Sequence, residues 1–177
     1  MGRRVLLVID MLHDFLAPEG ALFCGAAVQE IIPFVRDKVH EFQSADEPII
    51  YINDAHAEDD LEFTRFPRHC VSGSEGALPI PEIFPRDNRR DGVYTIEKRR
   101  YSGFFETNLG EILETLAPDE VHVVGVCTNI CVLYTVEELR NRDLATVVYC
   151  EGVASFDEGA HTWALQQMGD VLGARIE

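Results

Sequence analysis

The chain has 177 residues, of which 46% are hydrophobic, and its formal net charge is −16. A chain of that length can bury a core without disulfide support, so we expect a single domain over residues 1–177. The strong negative charge argues against nucleic acid and anionic membrane surfaces as partners, because both attract basic patches.

Localisation is predicted from the absence of export and membrane signals. No apolar run approaches the ~20 residues that a membrane-spanning helix needs. We expect no secretory leader, and the five cysteines are odd in number and lack zinc-ribbon spacing. We therefore expect a protein of the reducing cytoplasm.

Apolar runs and helical periodicity predict strands and helices that alternate along the chain. In chain order we expect a strand at Val5–Ile9, a helix over about 26–46, strands at Ile49–Ile52 and Gly92–Ile96, a helix over about 105–116, a strand over about 121–126, a helix over 129–142, a strand at Ala145–Tyr149, a helix over about 157–170 and a last strand at Ala174–Ile176. This alternation predicts an α/β fold, a three-layer, doubly wound, mainly parallel sheet of about six strands with helices on both faces.

Polar side chains follow the predicted strands at their carboxyl ends. Asp10, Asp54, Lys98 and the segment Cys127–Cys131 all lie just past such an end, and the loop over about 54–91 is rich in Pro, Gly and charge. Taken singly, each residue has an ordinary alternative as a helix cap or a surface charge. Together they predict a site, because ligands of doubly wound sheets bind beyond the carboxyl ends of the strands.

Cys131 is the candidate nucleophile. The apolar run before it breaks at Gly125, Thr128 and Asn129 and restarts with helical periodicity, with Asn129 as the expected N-cap. A helix N-terminus lowers the pKa of a thiol, and its free N–H groups can hold an oxyanion. The alternative is a small buried hydrophobic residue.

A cysteine hydrolase also needs a base that takes the thiol proton and returns it to the leaving amine. Asp10, at the end of an apolar strand, is the candidate base, and the positive charge of Lys98 favours the thiolate. We interpret Asp10, Lys98 and Cys131 as one catalytic unit. The alternative is a Cys–His dyad, but none of the histidines is clearly better placed than Asp10: His13, His40, His56, His69, His122 and His161.

A metal site is indicated in the long loop. Asp54 and His56 leave a strand end one residue apart, and His69 follows after a dozen positions. One carboxylate and two imidazoles with open positions suit Zn²⁺, Mn²⁺ or Fe²⁺. The alternative is that these residues are ordinary members of a polar loop.

Three motifs in order resemble the isochorismatase-like cysteine hydrolases: Val8-Ile9-Asp10-Met11, Lys98 with Tyr101-Ser102-Gly103-Phe104, and Gly125-Val126-Cys127-Thr128-Asn129-Ile130-Cys131-Val132. The resemblance covers nearly the whole chain. It implies a catalytic triad of Asp10, Lys98 and Cys131, a cis peptide bond before Cys127, and an oxyanion hole formed by the amides of Cys127 and Cys131.

The segment from Phe66 to Ala77, set beside Asp54-Ala55-His56, resembles the metal site of the nicotinamidase branch of that family. This resemblance implies hydrolysis of nicotinamide to nicotinate and ammonia through a thioester, as in NAD salvage. It also implies one divalent metal ion, zinc before manganese or iron, which binds the pyridine nitrogen. The residues it assigns are metal ligands Asp54, His56 and His69 and substrate contacts Phe15, Phe66, Val126 and Cys127. Glu62 stands where some members have a further metal-ligating histidine.

Other functions stay open at this point. Other members of the family act on N-carbamoyl amides or on isochorismate, and a member without activity would act as a binding domain. The family commonly forms dimers or larger assemblies, so a homo-oligomer is also expected.

Overall fold

The computed structural model describes residues 2–84 and 91–177. Within these ranges six strands form one parallel sheet in the order β3-β2-β1-β4-β5-β6. The strands are β1 (Arg4–Ile9), β2 (Ile49–Asp54), β3 (Val93–Lys98), β4 (Glu120–Val126), β5 (Thr146–Ala154) and β6 (Arg175–Ile176). The helices are α1 (His13–Leu16), α2 (Ala26–Glu30), α3 (Ile32–Ser44), α4 (Leu109–Leu116), α5 (Leu133–Asn141) and α6 (Glu158–Gln166).

Helices cover both faces of the sheet, as the alternation of elements predicted. Successive residues of β1 point to opposite faces. Leu6 and Val8 pack with the residues of α3 on one face, whereas Leu7 and Ile9 pack with those of α4, α5 and α6 on the other. The predicted three-layer α/β fold is confirmed.

Several predicted boundaries differ from the structure. The helix expected over about 26–46 is two helices, with Pro33 in the first turn of α3, a position where proline is tolerated because its N–H would be unpaired anyway. The helix expected over 129–142 begins as a π-helical turn at Thr128–Val132, and the one expected over 157–170 ends as another at Gln167–Val171. The helix expected from 105 begins at Leu109.

Strands β2, β3 and β5 run further than the sequence predicted. As a result Asp54 and Lys98 are the last residues of β2 and β3, and they pair with each other in the sheet register. The predicted loop over about 54–91 contains two short 3-10 turns, Leu61–Thr64 and Glu75–Ala77; its residues 85–90 lie outside the described ranges. Among the described helices none combines the length and the apolar character needed to cross a bilayer.

Candidate active site

The strand order reverses between β1 and β4, which are neighbours at the centre of the sheet. At such a point the loops that leave the carboxyl ends diverge to opposite faces, which opens a crevice. Asp10 directly follows β1, and the π-helical turn that carries Cys131 follows β4 after Cys127. The candidate base and nucleophile therefore meet in the crevice.

Gly125 permits the close approach of these two strand ends. It pairs with Ile9 across the β1–β4 ladder and has φ +122°. A Cβ at this position would lie 2.0 Å from the carbonyl oxygen of Ile9, so a larger residue would push the strands apart. The Val126–Cys127 peptide bond that follows is cis, as the family resemblance implies.

Asp10, Lys98 and Cys131 form one buried cluster. The Lys98 ammonium nitrogen, Nζ, lies 2.8 Å from Asp10 Oδ2 and 3.5 Å from Cys131 Sγ. A carboxylate oxygen of Asp10 lies within 4.8 Å of Cys131 Sγ. The structure thus brings together all three residues of the predicted catalytic unit.

The backbone fixes Asp10 in place. It adopts the left-handed conformation with φ +52°, which Asp tolerates better than most residues. Its N–H donates to the Ile52 carbonyl at 2.8 Å, and its Oδ1 accepts from the Asp54 N–H at 2.8 Å. Burial and the nearby Asp54 charge raise the pKa of Asp10 to about 7, while Lys98 opposes this shift. A carboxyl group with such a pKa can accept and return protons near neutral pH.

The pKa of Cys131 differs from the sequence prediction. Burial raises the pKa of the thiol well above its usual value, and the positive charge of Lys98 only partly offsets this. The prediction of a lowered pKa is wrong, because burial and the charges of Asp10 and Asp54 outweigh the effect of Lys98. The resting thiol keeps its proton beside Asp10, so the proton must leave during attack.

Lys98 remains charged although its side chain is fully buried. Burial opposes the charge, but the carboxylates of Asp10 and Asp54 hold the pKa of Lys98 well above its usual value. Burial would likewise raise the pKa of Asp54, yet Lys98 and His56 reverse the shift and lower it. One cation therefore serves two carboxylates.

Asp54 contacts a second set of residues with its other oxygen. Its Oδ1 pairs with Lys98, whereas its Oδ2 lies 3.5 Å from His56 Nε2 and 4.0 Å from His69 Nε2. One potential ligand atom from each of Asp54, His56 and His69 lies within 4.8 Å of the others, and all three residues are buried. These are the three predicted metal ligands.

The donor set of this group fits a divalent cation. His56 Nδ1 is hydrogen-bonded to Asp60 Oδ2 at 3.2 Å, and His69 Nδ1 donates to the Pro67 carbonyl at 2.6 Å. With the protons on Nδ1, the lone pairs of both Nε2 atoms are free, and His56 Nε2 is buried without a hydrogen-bond partner among the described residues. Two imidazole lone pairs and a carboxylate oxygen suit zinc and its first-row neighbours.

A short parallel bridge joins the two histidine segments. The His56 N–H donates to the Cys70 carbonyl and the His56 carbonyl accepts from the Ser72 N–H, both at 2.9 Å. Asp14 adds a contact from α1, since its Oδ2 accepts from the Cys70 N–H at 2.7 Å. Backbone pairing therefore holds His69 beside His56.

A second group of possible metal ligands, Asp10, Asp54 and Cys131, also lies within 4.8 Å. The Lys98 ammonium contacts all three of these side chains and supplies the positive charge there. We therefore place the candidate metal site at the histidines and leave this group to catalysis.

The pocket above these residues has apolar walls. Its lining includes Phe15, Phe66 and Cys127, which the sequence predicted as substrate contacts. Phe15 also packs against His69, with ring centroids 5.4 Å apart. The predicted contact Val126 is instead fully buried in the core. Residues that line the pocket but had no assigned role are Leu22, Cys24, Tyr101, Ile130 and Phe156. Two of them carried a signal, Tyr101 as part of the second motif and Ile130 as part of the third.

Glu62 lines the same pocket. It is buried, and its Oε2 lacks a hydrogen-bond partner among the described residues, with Arg100 Nη1 3.8 Å away. Burial and the charge of Asp54 raise the pKa of Glu62.

Three other polar residues have structural partners. His161 is hydrogen-bonded to Thr128 at 2.8 Å, and His122 to Tyr149 at 2.8 Å. Asn129 was expected as an N-cap, but its Oδ1 accepts from the Ser155 hydroxyl at 2.6 Å instead. The N-cap position is Cys127, and its side chain makes no capping bond.

Comparison with known proteins places the chain in a family. The isochorismatase domain matches residues 4–176. The structure of a nicotinamidase/pyrazinamidase from Bacillus subtilis superimposes with a TM-score of 0.95 at 32% identity and covers 98% of each chain. The pyrazinamidase of Pyrococcus horikoshii in complex with zinc gives 0.90 at 27% identity, covering 99% of this chain and 98% of that one. An N-carbamoylsarcosine amidase from Thermoplasma acidophilum gives 0.86 at 30% identity, covering 99% and 95%.

These matches extend over almost the whole chain. The chain belongs to the isochorismatase family and is a hydrolase.

Proposed function

We propose that the protein is a metal-dependent cysteine amidohydrolase that converts nicotinamide to nicotinate and ammonia. The observation that carries this proposal is the double contact of Asp54. One of its oxygens pairs with Lys98 of the catalytic unit, and the other faces His56 and His69. A ring held at the histidines would thus lie next to the nucleophile.

The walls of the pocket suit a flat aromatic ring. Phe15 and Phe66 line it together with Tyr101 and Phe156, and aromatic side chains stack on or pack edge-on against such rings. These contacts would orient the ring, which leaves its carboxamide for Cys131.

The charge of the pocket favours a neutral substrate. None of the described residues that line it is Lys or Arg, whereas Asp54 and Glu62 are acidic. A substrate with a carboxylate, such as isochorismate or an N-carbamoyl amino acid, would find no Lys or Arg side chain among these lining residues to pair with. Nicotinamide carries no such group.

Asp54, His56 and His69 would hold the metal ion. When bound, the ion would act as a Lewis acid that accepts the lone pair of a pyridine nitrogen. The pyrazinamidase of Pyrococcus horikoshii was solved in complex with zinc, which supports zinc as the ion for this chain.

The first half of the reaction uses the catalytic unit. Asp10 takes the proton of Cys131 as the sulfur attacks the carboxamide carbon, and the amides of Cys127 and Cys131 stabilise the oxyanion. Asp10 then returns the proton to the departing ammonia, and a thioester remains on Cys131. Lys98 stays protonated throughout and balances the charge of the carboxylates.

The second half releases the acid. Asp10 removes a proton from a water molecule, whose oxygen attacks the thioester carbon. Collapse of the second oxyanion expels the Cys131 sulfur, which regains its proton from Asp10. Nicotinate leaves, and the enzyme returns to its starting state.

A second candidate is the hydrolysis of N-carbamoyl amides, which the similarity to the N-carbamoylsarcosine amidase favours. The triad would serve this reaction unchanged. The acidic lining described above argues against a substrate that carries a carboxylate.

The test is ammonia release from nicotinamide by zinc-loaded protein. Cys131→Ala removes the nucleophile and is expected to lower turnover by more than about 10³-fold. Cys150→Ala, at an exposed cysteine of β5, is the matched control and should keep full turnover. Benzamide lacks the ring nitrogen, so we expect it to react much more slowly than nicotinamide.

Other outcomes would redirect the proposal. Equal rates for benzamide and nicotinamide would show that the metal does not bind the substrate through the ring nitrogen. Turnover of N-carbamoyl amides but not of nicotinamide would show that the proposed substrate is wrong. The proposed roles of Asp10, Lys98 and Cys131 would remain. If zinc-loaded protein hydrolyses no amide, the chain is a binding domain without catalytic activity.

A further inference from the structure

Asp60 contacts a candidate metal ligand from the side away from the metal. Its Oδ2 lies 3.2 Å from His56 Nδ1, four residues earlier in the chain. The side chain of Asp60 is 3% exposed and that of His56 is fully buried. Asp60 was not among the residues that the sequence motifs singled out.

Two groups hold the Asp60 carboxylate in place. Arg100 Nη1 lies 2.9 Å from its Oδ1 and 3.1 Å from its Oδ2. The Glu62 N–H donates to its Oδ1 at 2.9 Å. Arg100 lies just past the end of β3, so the clamp ties the loop after β2 to the neighbouring strand. Asp60 is thereby held in the orientation that meets His56.

We propose that Asp60, clamped by Arg100, is a positioning residue of the metal site. It accepts the Nδ1 proton of His56, which leaves the Nε2 lone pair free and aimed at Asp54 Oδ2. A histidine ligand with such a carboxylate partner is a better electron donor and is fixed in rotation. The proposal rests on the metal site of the proposed function.

Asp60 also shapes the wall beside the metal site. It caps the 3-10 turn Leu61–Thr64, which carries Glu62 and Phe63. The Phe63 ring packs against His56, with centroids 5.4 Å apart, and against His69 at 5.7 Å. The Asp60 carboxylate therefore determines which nitrogen of His56 carries the proton. It also holds the turn whose Phe63 ring packs against His56 and His69.

The test measures zinc affinity by competition with a chelator. Asp60→Ala removes the acceptor, and we expect zinc to bind about 10- to 100-fold more weakly. Asp60→Asn keeps an oxygen acceptor for Nδ1 but loses the charge, so its affinity should fall between those of Asp60→Ala and the wild type. Asp59→Ala is the matched control, since it removes the same charge one residue away at an exposed position; its affinity should not change.

The tautomer of His56 is the second measurement. In metal-free wild-type protein, at a pH high enough for His56 to be neutral, ¹⁵N NMR should show its proton on Nδ1. In Asp60→Ala we expect a mixture of the Nδ1 and Nε2 tautomers. A residue that only supports the fold would lower the unfolding temperature without moving either readout.

The outcomes separate this inference from the proposed substrate. Unchanged zinc affinity in Asp60→Ala overturns the inference, whatever the activity with nicotinamide. Weaker zinc binding in that variant supports it even if wild-type protein ignores nicotinamide. Failure of the wild type to bind zinc or a related ion overturns both the inference and the metal part of the proposed function.

Discussion

The two ends of the sheet use the same kinds of charged residue in opposite ways. At the amino end, Arg4 of β1 pairs with Glu41 at 3.0 Å and Glu47 at 2.6 Å, and the three side chains are 30%, 42% and 17% exposed. At the carboxyl end, Lys98 pairs with Asp10 and Asp54, and these side chains are 0%, 1% and 5% exposed. One group of ion pairs touches water and the other does not.

The difference shows which end the fold maintains for chemistry. Exposed ion pairs contribute about 0–1 kcal/mol, because water screens them. Buried charges cost several kcal/mol to desolvate, and their pairing offsets that cost only when the geometry is good. The amino end therefore adds a little stability, whereas the carboxyl end holds costly groups in the arrangement that catalysis needs.

Removing one cation at each end of the sheet is expected to give the largest difference in the free energy of unfolding. Lys98→Met leaves two buried carboxylates without their partner, so we expect the free energy of unfolding of metal-free protein to fall by about 3–5 kcal/mol. Arg4→Met is the counterpart at the amino end and should cost about 1 kcal/mol or less. Urea denaturation of both variants measures this. Similar losses for the two would show that burial does not separate the two ends.

Zinc should stabilise the protein only by binding at the carboxyl end of the sheet. A ligand that binds the folded state raises the free energy of unfolding by about 2.7 kcal/mol at 100 times its dissociation constant. We expect excess zinc to raise the melting temperature of the wild type and to leave that of His69→Ala unchanged. His122→Gln, at the amino end, should keep the full shift. Loss of the shift in His122→Gln would place the zinc elsewhere.

The sequence predicted most of the polar residues at the carboxyl end of the sheet. It predicted fewer of the contacts that the surrounding loops make with them. Apolar runs locate strands, and polar residues at their ends mark a site, so Asp10, Asp54, Lys98 and Cys131 could be found without coordinates. The pairing of His56 with Asp60 depends on how a loop folds back, and no periodic pattern reports it.

The remaining differences also come from tertiary contacts. Asn129 has the side chain of an N-cap, but the hydroxyl of Ser155, which lies far along the chain, binds it instead. The pKa of Cys131 depends on complete burial, which a helix-start pattern does not reveal. Pro33, in contrast, was readable as a helix start, and the prediction of one helix over about 26–46 overlooked it.

His122 provides the smallest test, because it is a buried titratable group at the amino end of the sheet. Burial lowers its pKa, and Glu120, 3.4 Å from Nε2, opposes the shift. Its Nδ1 is hydrogen-bonded to the Tyr149 hydroxyl. The charged groups that influence this histidine are Glu120, Arg4, Arg175 and Glu177.

A lowered pKa means that the unfolded chain binds a proton more readily than the folded protein does. The contribution of neutral His122 to stability is therefore complete above the unfolded pKa of about 6.5 and is lost as the pH falls below it. The free energy of unfolding of the wild type minus that of His122→Gln should decrease between pH 8 and pH 5. Taking this difference cancels the titration of Asp10 and the other histidines. A difference that grows as the pH falls would mean that Glu120 outweighs burial and raises the pKa of His122 in the folded state. A constant difference would mean that the two effects cancel.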